Sequence, residues 1–197
     1  MKSLYWLIKY VVDTKHHGLA MEPTDTNNNT WEMRAFCDSD YAGDKAGRKS
    51  ISGYVIYIQG CLISWKSRSQ KLVTLSSTEA EYVAISEMCA EIMFLKQVLE
   101  FLKIKVVLPI IVRVDNVGAI YLAQNAVSDP RMKHVDVWYH FVWDYIEDVI
   151  VKIVVVKSEE NDSDIYTKKF GKELFHKHSG KYIQAIDDDG KGVGNAR

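Results

Sequence analysis

The order of its apolar segments most constrains what this chain can fold into. Three short strand-like runs follow one another closely, and Gln59-Gly60 predicts a tight turn between the second and the third. The predicted strands are 33–38, 52–58, 61–66, 110–115 and 150–156, and the predicted helices are 4–12, 76–102, 116–125, 134–149 and 162–169. An antiparallel meander followed by alternating strands and helices predicts an α/β fold, a five-stranded mixed sheet with helices on its faces.

The long predicted helix carries one carboxylate on its apolar face. Glu81 begins a stripe at steps of four and three that continues through Ile85, Met88, Ile92, Leu95, Leu99 and Leu102. Ser76 and Glu79 fit a capping box at the start of the helix, and Glu79 falls away from the stripe. A carboxylate on an apolar face is unfavourable unless it meets a cation or a donor. The spacing therefore predicts Glu81, rather than Glu79, as the acid that faces the sheet.

Three further acids lie at the ends of apolar runs. Asp38 and Asp115 end the first and fourth predicted strands, and Asp164 follows the fifth. Each alone is as readily a turn former or a helix cap, and Asp115-Asn116 can simply cap the next helix. Four carboxylates that converge on one spot repel one another unless hard cations neutralise them, and Mg²⁺ prefers oxygen ligands. The combination with Glu81 predicts a Mg²⁺-dependent nuclease.

The composition fits one folded domain without a strongly basic surface. Hydrophobic residues make up 47% of the 197 residues, and the net charge is −1. A nuclease of this charge needs local basic patches or a basic partner domain to hold nucleic acid. The three separated cysteines predict buried, reduced thiols. No run approaches the ~20 apolar residues of a membrane span, and the N-terminus does not fit a signal peptide, so we expect an intracellular protein that is not secreted.

Five segments carry a resemblance to a known family. They are CDSDYAGDKAGRKSISGYVIYI, ISWKSRSQKLVTLSSTEAEYVAISE, VDNVGAIYLA, RMKHVDVWYHFV and SEENDSDIYTKKF. In this order, they resemble the ribonuclease H domain of copia-type retrotransposon Pol polyproteins. The N-terminal MKSLYWLIKYVVDTKHHGL resembles the end of the reverse transcriptase that precedes this domain. The implied organisation is a reverse-transcriptase tail and linker at 1–30, a ribonuclease H-like domain at 31–172, and a C-terminal tail at 173–197 that is disordered from about 187.

The resemblance implies a site and a reaction. Asp38, Glu81, Asp115 and Asp164 match the catalytic, metal-binding acids of the family. The family hydrolyses the RNA strand of an RNA–DNA hybrid with two Mg²⁺ ions, for which Mn²⁺ can substitute, and leaves a 3′-hydroxyl and a 5′-phosphate. The implied partners are the hybrid and the reverse transcriptase domain of the parent polyprotein, in a cytoplasmic particle or the nucleus. No membrane is implied, and nothing indicates an oligomeric state.

Three polar residues flank the acids and have two open interpretations. Ser39, Thr78 and Asn116 can bind the 2′-hydroxyls or the backbone of the substrate, because that hydroxyl distinguishes RNA from DNA. Turn and cap chemistry explains the same residues equally well.

Departures from the family pattern leave room for other functions. Lys157–Ser163 lacks the His that many cellular ribonucleases H carry before the last acid, and Val149 stands where a Gly is usual. One alternative is therefore a catalytically inactive remnant that binds nucleic acid or a protein. A retroviral-type integrase is disfavoured, because its Glu follows both Asp residues, whereas Glu81 lies between Asp38 and Asp115.

Overall fold

The computed structural model describes residues 2–24, 29–44, 47–125 and 136–186. The predicted turn at 128–130, His134 and the predicted disordered tail from Asp187 lie outside the described residues. The helices are α1 Lys2–Asp13, α2 Ser77–Phe101, α3 Val117–Gln124, α4 Asp136–Glu147 and α5 Lys172–Ser179. The strands are β1 His17–Leu19, β2 Thr30–Trp31, β3 Met33–Asp40, β4 Ile51–Ile58, β5 Cys61–Ser69, β6 Lys105–Val106, β7 Ile110–Val114, β8 Val151–Val155 and β9 Ile183–Ala185.

A five-stranded mixed sheet forms the centre of the fold. Its strand order is β5-β4-β3-β7-β8. The first three strands form the antiparallel meander, whereas β7 and β8 run parallel to β3. The turn between β4 and β5 has positive φ at both Gln59 (49°) and Gly60 (82°), as a two-residue hairpin with the twist of its strands requires. The α/β class predicted from the sequence, a five-stranded mixed sheet with helices on its faces, is thereby confirmed.

Helix α2 packs along one face of the sheet and forms most of the core there. Ser76 caps it by accepting a hydrogen bond from the Glu79 N–H at 3.1 Å. In the predicted stripe Ile85, Met88, Ile92 and Leu99 are buried and Leu95 is partly buried, whereas Leu102 lies beyond the helix and is exposed. Alternate strand residues such as Ala35 and Cys37 pack in the same cluster. This burial fixes the rotation of α2 and therefore the direction in which Glu81 points.

The opposite face of the sheet carries a second, smaller apolar cluster. Phe36, Val55, Tyr57 and Leu62 pack there against Tyr182, which lies between α5 and β9. Strand β9 pairs antiparallel with β1, which links the two terminal segments of the described chain to each other. The sequence did not predict α5 or β9, and the proposed boundaries at residues 31 and 173 remain predictions.

The other predicted elements differ mainly in their ends. Strand β5 extends to Ser69, three residues beyond its predicted end. The helix predicted at 162–169 is instead a single 3₁₀ turn, Asp164–Tyr166, and another 3₁₀ turn, Ser158–Glu160, precedes it. Among the described residues, no helix has the length and apolar character needed to cross a membrane.

Candidate active site

Strand direction brings two of the predicted acids to the same edge of the sheet. Asp38 lies near the end of β3, and Asp115 directly follows β7. Because β3 and β7 are parallel, their carboxyl ends lie side by side. Glu81, near the start of α2, points to this edge from the helix layer. One oxygen from each of Asp38, Glu81 and Asp115 lies within 4.8 Å of the others.

The three carboxylates differ in burial and in their hydrogen bonds. Asp38 is 1% exposed and Glu81 is 5% exposed, whereas Asp115 is partly exposed. The Ser39 N–H donates to Glu81 Oε1 at 3.1 Å, and the Ser158 hydroxyl donates to Asp115 Oδ2 at 2.5 Å. Glu81 Oε2 is buried and has no hydrogen-bond partner among the described residues. A buried carboxylate oxygen in this state is strongly unfavourable unless a cation approaches it.

Burial and like charge change the acidity of Glu81. Burial, with the nearby charges of Asp38 and Asp115, raises the pKa of Glu81 to about 8. The hydrogen bond from Ser39 opposes this rise. The three acids therefore do not ionise together freely at neutral pH without an added positive charge. Carboxylate oxygens are hard ligands, so this donor set fits Mg²⁺ or Mn²⁺.

Asp164 lies beside this group rather than in it. It begins the second 3₁₀ turn, and Lys168 lies one turn further on. Lys168 Nζ is 3.0 Å from Asp164 Oδ2 and 3.0 Å from Asp38 Oδ1, so it bridges the two carboxylates. Burial and the charge of Asp38 raise the pKa of Asp164 to about 6, although Lys168 opposes the rise. Within the part of the chain that the structure describes, Asp164 Oδ1 is buried and has no hydrogen-bond partner.

Three residues that the sequence analysis did not select build this part of the site. The Thr167 hydroxyl donates to Asp38 Oδ2. Gly53 pairs with Asp38 across the strands, and a Cβ at this position would come 2.6 Å from Thr167 Cγ2 and 3.3 Å from Ser163 O. Gly53 therefore leaves the space in which the Asp164 segment reaches β3. A glycine inside a strand is the sequence signal for such a close approach, whereas the role of Lys168 has no comparable signal.

The predicted substrate residues have cap and backbone roles in this structure. Asn116 Oδ1 accepts the Ala119 N–H at 2.9 Å and caps α3. Thr78 lies across from α3, where a Cβ at Gly118 would come 3.0 Å from Thr78 Oγ1 and 3.2 Å from Asn116 Oδ1. The Ser39 hydroxyl is buried beside the acids, and no described residue forms a hydrogen bond with it. A role for these residues with substrate remains a prediction.

A second cluster of polar side chains surrounds another acid, Asp162. Asp162, two residues before Asp164, is buried and accepts a hydrogen bond from the Tyr57 hydroxyl at 3.2 Å. His178 Nδ1 is 3.2 Å from Asp162 Oδ1, and Lys181 forms an ion pair with the same oxygen. These contacts attach the end of α5 to the segment that carries Asp164.

The sequence is similar to plant retrotransposon proteins along most of its length. No protein-family model matches it. It is 33% identical over 181 residues to the retrovirus-related Pol polyprotein from transposon RE1 of Arabidopsis thaliana, which covers 92% of this chain and 12% of that protein. It is 35% identical over 174 residues to the Pol polyprotein from transposon TNT 1-94 of Nicotiana tabacum, which covers 88% of this chain and 13% of that protein. The chain thus spans only about an eighth of these relatives.

Two solved RNase H1 structures are similar at lower identity. The LC11-RNase H1 isolated from compost is 17% identical, with a TM-score of 0.47 over 68% of this chain and 91% of that chain. RNase H1 from the halophilic archaeon Halobacterium salinarum NRC-1 is 14% identical, with a TM-score of 0.47 over 67% of this chain and 90% of that chain.

Proposed function

We propose that this chain, which is homologous to a part of copia-type retrotransposon Pol polyproteins, is a ribonuclease H that hydrolyses the RNA strand of RNA–DNA hybrids. One observation carries this proposal: three acids that are far apart in the sequence converge within 4.8 Å, and an oxygen of buried Glu81 has no partner. A cluster of this kind is electrostatically unfavourable as a purely structural feature. It becomes favourable when divalent cations neutralise it.

Asp38, Glu81, Asp115 and Asp164 would hold the cations, which we propose to be two Mg²⁺ ions with Mn²⁺ as a substitute. When bound, such ions activate a water molecule and neutralise the charge that develops on the phosphate. The residues of the chain orient the ligands. The Ser39 N–H fixes one oxygen of Glu81, the Ser158 hydroxyl fixes one oxygen of Asp115, and Thr167 fixes one oxygen of Asp38. The proposed products carry a 3′-hydroxyl and a 5′-phosphate.

Selection of RNA would depend on polar groups beside the acids. The buried Ser39 hydroxyl has no partner in the structure, and Thr78 and Asn116 lie together at the N-terminal ends of α2 and α3. We propose that these groups bind the 2′-hydroxyls and backbone of the RNA strand. Because the net charge is −1, we also propose that the reverse transcriptase domain of the parent polyprotein helps to hold the hybrid.

The test is cleavage of a labelled RNA–DNA hybrid by the purified chain, in Mg²⁺ and in EDTA. Double-stranded DNA and double-stranded RNA of the same sequence report strand selectivity. We expect cutting of the RNA strand of the hybrid alone, and only with Mg²⁺.

The matched variants are Asp115→Asn and Asp148→Asn. Asp115→Asn keeps the size of the side chain and an acceptor for Ser158, but it removes the charge. We expect it to lower the cleavage rate by more than about 1,000-fold, or about 4 kcal/mol of transition-state stabilisation. Asp148→Asn alters an exposed acid at the end of α4 and should cleave like the wild type. Absence of cleavage by a folded wild-type chain would favour the inactive remnant, and full activity of Asp115→Asn would contradict the assigned site.

A further inference from the structure

Lys168 provides a positive charge inside the proposed site. Its Nζ lies 3.0 Å from Asp38 Oδ1 and 3.0 Å from Asp164 Oδ2. The backbone positions it, because the Lys168 N–H donates to the Asp164 carbonyl at 2.8 Å and closes the turn that carries both residues. Asp38 and Asp164 are 1% and 5% exposed, whereas the Lys168 side chain is 37% exposed. The ammonium group therefore reaches from solvent into a buried pair of carboxylates.

The contacts of Lys168 separate the four acids into two pairs. Asp38 and Asp164 share the lysine. Glu81 and Asp115 accept hydrogen bonds from Ser39 and Ser158 instead. A cation bound among Asp38, Glu81 and Asp115 can use Glu81 Oε2, which Lys168 does not contact. A cation bound between Asp38 and Asp164 would meet the ammonium group, because both are positive and both bind the same two carboxylates.

We propose that Lys168 is a resident cation that competes with a divalent ion for the Asp38–Asp164 pair. This inference rests on the proposed function, because it assumes that the four acids bind divalent cations. The group formed by Asp38, Glu81 and Asp115 then binds its ion first. The second ion binds more weakly, since its binding requires Lys168 to leave the carboxylate pair and turn towards solvent. Lys168 also stabilises the metal-free fold by neutralising Asp38 and Asp164.

The surroundings of Lys168 distinguish it from an ordinary surface ion pair. Exposed pairs contribute little, because both charges remain hydrated and both side chains lose freedom. Here the two acceptors are buried, and one of them, Asp38, belongs to the three-acid group as well. Lys169, the next residue, is exposed, so it provides a matched control of the same charge.

The test is calorimetric titration of the full chain with Mg²⁺, for the wild type, Lys168→Met and Lys169→Met. We expect a stronger and a weaker binding step in the wild type and in Lys169→Met. In Lys168→Met the weaker step should become about tenfold tighter, within the 10- to 100-fold range over which groups around metal ligands change affinity. Thermal unfolding in EDTA is the second readout, and the melting temperature should fall in Lys168→Met alone.

Two further variants make the outcome decisive. Lys168→Arg keeps the positive charge and should bind Mg²⁺ like the wild type. Lys168→Gln replaces Lys168→Met if the latter does not fold, because the amide still donates a hydrogen bond but carries no charge. An unchanged or weaker second step in a folded, uncharged variant would overturn the role of Lys168. Absence of any Mg²⁺ binding by the wild type would instead overturn the proposed function itself.

Discussion

Asp162 and Asp164 lie two residues apart in one segment, yet their surroundings are opposite in kind. Asp162 has a tyrosine hydroxyl, a histidine and a lysine around its two oxygens. Asp164 has one lysine, which it shares with Asp38, and a buried oxygen without a partner. The same contrast separates Asp162 from Glu81, whose Oε2 is also unpartnered. A carboxylate that its neighbours satisfy holds the fold together, whereas one left unsatisfied at a buried edge is available to a cation.

The largest effect on stability should come from Asp162. Asp162→Ala leaves His178 and Lys181 without their shared acceptor, and loss of one partner of a buried charged pair destabilises by about 3–5 kcal/mol. We expect a loss near the lower end, about 3 kcal/mol, because Lys181 is partly hydrated. Urea unfolding followed by tryptophan fluorescence measures it, and Mg²⁺ should not restore the loss. A loss as small as that of Asp148→Ala, an exposed control, would remove the contrast between the two clusters.

Glu81 should behave in the opposite way, because its charge destabilises the metal-free fold. Its pKa is about 8 in the folded chain, above its ordinary value of 4.5, so the folded chain retains a proton that the unfolded chain releases. The contribution of Glu81 to the free energy of unfolding is therefore most favourable at low pH, and it falls as the pH rises from about 4.5 to 8. Glu81→Gln removes this titration and keeps an acceptor for Ser39. We expect it to stabilise the metal-free chain at pH 8 by about 1–2 kcal/mol, which corresponds to about one pKa unit of the shift.

The measurement for Glu81→Gln is the melting temperature against pH, in EDTA and in Mg²⁺. The variant should show a flatter profile in EDTA than the wild type. Mg²⁺ should stabilise the wild type at pH 8 and have little effect on the variant. Destabilisation by Glu81→Gln at pH 8 in EDTA would place Glu81 with Asp162 among the structural acids.

Val149 provides a reference outside both clusters. It has φ of 56° just after α4, and the Ile150 N–H donates to the Tyr145 carbonyl at 3.0 Å, so the helix ends in a left-handed residue. Such a conformation costs a residue with a Cβ about 1–2 kcal/mol. Val149→Gly should raise the free energy of unfolding by about 1 kcal/mol, equally with and without Mg²⁺. Val149→Ala keeps the Cβ and should gain less, and an equal gain in both variants would show that backbone strain is not the cause.

Local sequence patterns were sufficient to predict that Asp38, Glu81 and Asp115 lie close together. The stripe on α2 identified Glu81 because burial of Ile85 to Leu99 fixes the rotation of the helix. The strand-like runs identified Asp38 and Asp115 because parallel strands bring their carboxyl ends together. Val149 was also selected from the sequence, and its φ of 56° is a backbone conformation that Gly adopts without strain.

The rest of the site depends on contacts between distant parts of the chain. Lys168 and Asp38 are 130 residues apart in sequence, and Thr167 and Asp38 are 129 apart. No periodicity encodes such pairs. The same reason explains why α5 and β9 were not predicted: α5 has few apolar residues, and its attachment depends on the pairing of His178 and Lys181 with Asp162. The space at Gly53 becomes meaningful only when the Asp164 segment lies against it.

Anomalous scattering from a crystal of the full chain soaked with Mn²⁺ tests most directly whether the acids around the unpartnered oxygen of Glu81 bind divalent cations. We predict an anomalous peak among Asp38, Glu81 and Asp115, with carboxylate oxygens of all three as ligands, and no peak at Asp162. A saturating soak that gives no peak at the three acids, or a peak at Asp162 instead, would contradict this account.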